Sequence, residues 1–110
     1  MVFQAKKNYK DLVYLAVKNV PKGKVTTYGR IAEKFAGKID ARIVGWMLHL
    51  NRDLQVPCHR VVDRNGRLAP NFAFDGWVEQ KRRLESEGVK FVDEMHVDLA
   101  TSLWQANSNF

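Results

Sequence analysis

The single cysteine of the 110-residue chain stands in the stretch Val56-Pro57-Cys58-His59-Arg60. A thiol becomes a useful nucleophile when a neighbour takes its proton and positive charge holds the thiolate. His59 is the residue type for the first task and Arg60 for the second. A lone cysteine is by default a small buried hydrophobe that does no chemistry, and its neighbours have to overturn that reading. Adjacent side chains on an extended strand point to opposite faces, so His59 reaches Cys58 only where the backbone turns or through a bridging water. Pro57 holds the residue before it extended, which gives a fixed, non-helical approach to the thiol. A histidine base also needs an orienter, and Glu87, in Leu84-Glu85-Ser86-Glu87-Gly88, is chemically suited to an imidazole. Metal binding fits poorly: with one cysteine, His49 and His59 ten residues apart and His96 remote, no zinc spacing is present. There is no Walker loop and no dinucleotide fingerprint, so no cofactor is implied.

These residues have to be positioned by the elements around them. From Tyr9 to Val20, apolar residues at Tyr9, Leu12, Val13, Ala16, Val17 and Val20 follow the three-four spacing of an amphipathic helix, which Pro21 and Gly23 stop. Thr27 can cap a second helix over Tyr28–Ala36 with Ile31, Ala32 and Phe35 inward, and Gly37 sits where a left-handed terminating residue belongs. Asp40 can cap a third over Ala41–Leu50, its buried side predicted as Ile43, Val44, Met47 and Leu50. The short join, with Arg42 early on the later helix, is the outline of a helix-turn-helix. Beyond the cysteine, residues 59–68 read as a short β-hairpin turning at Asn65-Gly66. A loop over 69–76 leads to a helix capped by Asp75 and running through Glu87, with Trp77, Val78 and Leu84 inward and Gly88 ending it. Residues 89–92 read as a last short strand. The predicted fold class is mostly α with a small β-hairpin, a winged-helix-like helix-turn-helix domain. The length fits one domain over residues 1–110, without repeats or a linker.

Charge bounds the partner. Eighteen Lys and Arg against twelve Asp and Glu give +6 and a pI near 9.7, a balance suited to nucleic acid or another polyanion. Residues 1–67 hold 14 basic and 5 acidic side chains, and residues 68–110 hold 4 and 7, so the excess surrounds the cysteine. One cysteine excludes an internal disulfide, and neither a secretory signal nor a membrane-length apolar run is present, which points to a reducing compartment.

Taken together, Ala41-Arg42-Ile43-Val44-Gly45-Trp46-Met47, the Pro57-Cys58-His59-Arg60 core and the Glu87-Gly88 helix end resemble the O6-alkylguanine-DNA alkyltransferases and their relatives, the alkyltransferase-like proteins. The resemblance runs from about Tyr9 to about Val92. In that family the cysteine takes the alkyl group irreversibly from guanine O6 after the nucleotide is flipped out of the helix. It implies Cys58 as acceptor, His59 as a water-linked base and Glu87 as its orienter. It further implies Arg42 as the finger entering the duplex, Tyr28 as the residue that pushes the target phosphate round, and Asn51, after a one-residue gap, as the hinge asparagine. Thr27, Ala41, Gly45 and Arg60 are implied as further DNA contacts, and Pro57, Asn71 and Phe72 as substrate-pocket residues. Lys22, Lys24 and Arg30 could add phosphate contacts.

The expectation is of a chain that starts almost at the DNA-binding module, without the large amino-terminal domain common in these alkyltransferases. The pocket loop, rich in glycine with a Tyr-Ser in active members, reads here Arg67-Leu68-Ala69-Pro70-Asn71-Phe72-Ala73-Phe74-Asp75-Gly76, with Asn71 and Phe72 where the pocket wall should be. The tail ending near Trp104 is more like that of the alkyltransferase-like proteins, which bind and flip damaged guanine but typically carry Trp or Ala in place of the cysteine. The resemblance therefore implies one of two functions: irreversible alkyl transfer to Cys58, or a non-enzymatic sensor of O6-alkylguanine that recruits other repair proteins. Either expects double-stranded DNA as partner, no membrane, a monomer, and a cytoplasmic, nucleoid-associated location.

Overall fold

Helix α1 (Tyr9–Lys18) opens on Asn8, whose side chain accepts a hydrogen bond from the Asp11 amide at 3.2 Å. The structure is a computed structural model that describes residues 8–72 and 76–105. Val13, Ala16 and Val17 form the buried stripe of α1, and Val20 continues it past the helix end. After the Pro21–Lys24 turn comes strand β1 (Thr26–Thr27), and Thr27 caps α2 (Tyr28–Ala32) by accepting from the Arg30 amide at 3.1 Å. The helix predicted to reach Ala36 tightens into a 3-10 turn over Glu33–Phe35, and two residues in succession, Ala36 and Gly37, turn left-handed at φ 52° and 82°. Asp40 caps α3 (Ala41–His49) through the Ile43 amide at 3.0 Å. The Tyr14 hydroxyl donates to the Met47 carbonyl at 2.7 Å and straps α1 to α3.

The buried side of α3 differs from expectation. Val44 and Leu48 are buried and Met47 partly so, whereas Ile43 and Leu50 are exposed. Helix α3 meets its neighbours along one narrow strip, Val44 and Leu48 four residues apart with Met47 at its edge, and Ile43, Trp46 and Leu50 face out.

The predicted hairpin is a parallel pair. Strand β2 (Val61–Val62) lies beside β1, Thr26 opposite Val61 and Thr27 opposite Val62. The Asn65-Gly66 turn does form: Asp63 Oδ1 accepts from the Asn65 and Arg67 amides, and Gly66 takes φ 84°. The chain leaving it pairs with residues 95–97, where the Leu68 amide donates to Met95 and the Val97 amide to Gly66. Val61 and Val62 are both fully buried, Val61 in a core formed by α1, α2 and α3, Val62 in a second core with Val25, Leu68, Leu84, Val89 and Val97. A strand buried on both faces suits an inner position between two cores better than a hairpin with one wet face.

Helix α4 (Trp77–Ser86) starts after Gly76, and the expected cap Asp75 lies outside the described residues. Leu84 is fully buried and Trp77 partly, while Val78 faces solvent. Of the strand predicted over 89–92, only Phe91 bridges, to Val97. A short helix α5 (Leu99–Ser102), capped by Asp98, leads to the Trp104 amide, which donates to the Val25 carbonyl at 2.7 Å. The molecule is thus mostly helical with a small parallel sheet, and none of its described helices is long and apolar enough to cross a membrane.

Candidate active site

The backbone turns at the cysteine. Pro57, at φ −79° and ψ 67°, makes an inverse γ-turn in which the Cys58 amide donates to the Val56 carbonyl at 2.8 Å. Cys58–Arg60 then forms a 3-10 turn, with the Arg60 amide donating to Pro57 at 2.9 Å, before the chain straightens into β2. Extended geometry would have sent Cys58 and His59 to opposite faces, and this turn removes that restriction.

His59 is buried, and its Nε2 lies 2.9 Å from Glu87 Oε2 at the end of α4. Burial alone would raise the Glu87 pKa, but hydrogen bonds from Arg60 and His59 overturn that and hold it at about 2. Glu87 is therefore an acceptor only, so the imidazole proton sits on Nε2 and leaves the Nδ1 lone pair free. Burial pulls the His59 pKa below its ordinary value against the opposing pull of Glu87, so the ring is neutral at pH 7.

Arg60, expected at a DNA phosphate, is turned inward. Its Nε and one terminal nitrogen grip both Glu87 oxygens at 3.0 and 2.8 Å, and the other terminal nitrogen donates to the Val20 carbonyl at 2.9 Å. With its side chain only 16% exposed, the guanidinium is committed to the carboxylate that orients His59.

The Cys58 thiol is half-buried 4.0 Å from the Leu48 carbonyl, and burial pushes its pKa up to about 11, partly offset by a hydrogen bond from the Asn51 side chain. Asn51 also brackets the loop before the cysteine, donating to the Asp53 carbonyl at 2.9 Å and accepting from its amide at 3.2 Å. Tyr28, first residue of α2, is pushed up to about 12 by burial, then by the nearby Asp63 and Cys58. The parallel register accounts for the first of these neighbours, since Thr27 opposite Val62 brings Tyr28 level with Asp63. Gly45 faces the Tyr28 ring, its missing Cβ 3.7 Å from two ring carbons. Ala41 and Arg42 open α3, Arg42 extending into solvent with only a 3.5 Å pairing to Asp40.

Two residues that the sequence reading passed over belong to this site. Gln80 is fully buried: its Oε1 accepts from the Ala69 amide at 2.7 Å, and its Nε2 donates to the His59 and Val61 carbonyls at 3.2 and 3.0 Å. It ties the cysteine turn to the loop leading to Asn71 and Phe72. The signal was available, since Trp77, Gln80, Leu84 and Glu87 recur at helical spacing and a glutamine in such a row needs internal partners. The second, Arg83, lies over the Phe72 ring at 5.3 Å and is ion-paired with Glu79, and its positive charge lowers the pKa of both Cys58 and His59. Asn71 is exposed and Phe72 half-buried. A surface groove of about 470 Å³ beside α1, lined by Tyr9, Leu12 and Phe35 among others, includes none of these residues.

Residues 8–89 match the model of the 6-O-methylguanine DNA methyltransferase DNA-binding domain. The chain belongs to this family. Among its relatives, the alkyltransferase-like protein 1 of Schizosaccharomyces pombe is 39% identical over 98 residues, 84% of this chain and 91% of that protein. A methylated-DNA–protein-cysteine methyltransferase of Thermococcus gammatolerans is 43% identical over 74 residues, 66% of this chain and 40% of that one. The crystal structure of S. pombe Atl1 in complex with damaged DNA containing O6-carboxymethylguanine superposes at a TM-score of 0.77 with 35% identity, covering 88% of this chain and 94% of that one. The family domain thus takes in both helices of the helix-turn-helix, the cysteine turn and the Glu87 helix end.

Proposed function

We propose that this member of the family binds duplex DNA, extrudes O6-alkylguanine and accepts its alkyl group on Cys58 in one irreversible turnover. The observation that carries this reading is the Cys58–His59 turn, with a neutral imidazole held through Nε2 by an ionised Glu87. In the transfer, Cys58 Sγ forms a bond to the alkyl carbon while the carbon–O6 bond breaks, its electron pair staying with guanine. The thiol proton passes through water to His59 Nδ1 and ends on guanine N1, restoring the O6 carbonyl. Arg42 fills the space left by the flipped nucleotide and Tyr28 turns its phosphate. Flipping costs a few kcal/mol, least at a damaged pair.

A second reading, a non-enzymatic sensor of the same lesion, is favoured by two observations. Burial pushes the thiol pKa up to about 11, away from the thiolate, and the loop that holds Asn71 and Phe72 lacks the Tyr-Ser that the resemblance leads one to expect of active members. Intact-mass measurement after prolonged incubation with O6-methylguanine duplex separates the two. Transfer adds one methyl group, mapped to the Cys58 peptide, and Cys58→Ala abolishes it while keeping lesion binding. No adduct, with tight binding intact, would establish the sensor reading.

A further inference from the structure

The outward face of α3 holds a large aromatic that the fold does not use. Trp46 is 64% exposed, with Ile43 and Leu50 exposed beside it, while the helix is anchored through Val44 and Leu48 on its opposite side. Trp46 lies four residues after Arg42 and three before His49, so the three form one row along the helix. Gly45, with Tyr28 packed against it, borders that row on one flank and Ile43 on the other. Arg42, its side chain 92% exposed, opens the row, and the helix carries no acidic side chain between Ala41 and His49. An exposed indole in line with an exposed guanidinium, on the basic part of the chain, is complementary to a polyanion with flat apolar faces.

We propose that Trp46 is a second duplex-contacting residue, which lays its indole against the bases or sugars beside the place that Arg42 enters. This rests on the DNA-binding reading above and adds a contact to it. Four residues of helix advance about 6 Å, against about 3.4 Å per base along a strand, so Trp46 falls within one or two base steps of Arg42. An apolar side chain there widens or unstacks the neighbouring step and lowers the cost of extruding the target nucleotide. Trp46 thereby divides the work with Arg42: the arginine fills the vacancy and the indole holds the adjoining step open.

Acrylamide quenching of the intact chain and of Trp46→Phe, each alone and with O6-methylguanine or undamaged duplex, isolates the Trp46 contribution from Trp77 and Trp104. On duplex binding, the Trp46 share is expected to become shielded, and Trp46→Ala to weaken duplex affinity about tenfold with an unchanged melting temperature, Trp46→Phe recovering most of it. Tight duplex binding with Trp46 still open to acrylamide, or parental affinity in Trp46→Ala, would overturn the inference alone. Shielding that appears without DNA and grows with protein concentration would also overturn it, making this face a contact between copies of the chain. Absence of duplex binding by the parent would overturn the DNA-binding reading itself, and this contact with it.

Discussion

Glu87 serves two partners at once, and the sharpest expectations concern it. Its carboxylate orients His59 and closes a bidentate pair with Arg60, all three side chains being nearly buried. Glu87→Gln removes the anion that raises the His59 pKa, so His59 should titrate lower than in the parent, as NMR of the imidazole protons would record. The same variant should slow alkyl transfer while leaving DNA affinity nearly unchanged, because the imidazolium formed on proton transfer loses its counter-charge. Parental rates across neutral pH would remove Glu87 from the mechanism. There is a stability consequence as well. A carboxyl held at about 2 against an ordinary 4.5 contributes stability that is fully present above 4.5 and is lost as pH falls toward 2. Thermal melts should therefore decline over that window, less steeply in Glu87→Gln. For Cys58 the sign is opposite: with a pKa near 11, reaction of the free protein with iodoacetamide should be slow at neutral pH and climb toward pH 11. A plateau below pH 9 would mean that the thiol is activated without DNA.

At the scale of elements, the 3-10 turn carrying Cys58 is held between β2 and α4, and Gln80 is the tie. Gln80→Leu keeps the volume but strands the Ala69 amide and the two carbonyls, a loss of about 3 kcal/mol measurable by denaturant unfolding. Gln80→Lys would keep a donor for the carbonyls but bury a charge with no carboxylate among the groups that Gln80 bonds, so it should cost more stability than Gln80→Leu. Helix α3 offers the reverse experiment. At Gly45 an added methyl would sit 3.7 Å from the Tyr28 ring, an ordinary contact, so Gly45→Ala should gain up to about 1 kcal/mol from helix propensity. If that face meets DNA, as the family resemblance implies, duplex affinity should fall while stability rises. Affinity unchanged in Gly45→Ala would move the DNA contact elsewhere on the helix.

Over the whole molecule, the basic excess lies within residues 1–67, the part that holds α1 to α3 and the cysteine turn. Duplex binding should accordingly weaken steeply with salt and depend little on sequence, and a plot of log affinity against log salt reports the phosphate contacts. Replacing a phosphate-contacting cation by alanine lowers that slope by about 0.9. Arg30, on the exposed side of α2, is a candidate for such a contact. Arg60→Ala behaves differently: it uncovers Glu87 and the Val20 carbonyl, so its main effect should be on the melt. Arg42→Ala should reduce the ratio of damaged to undamaged affinity more than it reduces stability, since its side chain stands in solvent.

Local rules were legible in the chain itself. Caps at Thr27 and Asp40, the left-handed Gly37 and Gly88, and the apolar stripe of α1 follow from short-range hydrogen bonding and helical periodicity, and each appears in the molecule, with Leu12 of that stripe left exposed. The Pro57-Cys58-His59-Arg60 core pointed to the site, and its chemistry made Glu87 a suitable partner for the histidine, a role the resemblance also implied, but residues 28 apart in sequence carry no distance. Tertiary packing decided what remained. Whether Val61-Val62 turned back on itself or lay parallel to Thr26-Thr27 depended on which cores were available to bury both valines, and two were. Whether Arg60 faced DNA or Glu87 depended on a buried carboxylate and a helix-end carbonyl converging from distant segments, groups that cannot be left without partners. Which side of α3 faced out likewise depended on where α1 and α2 lay, and that left Trp46 on the surface.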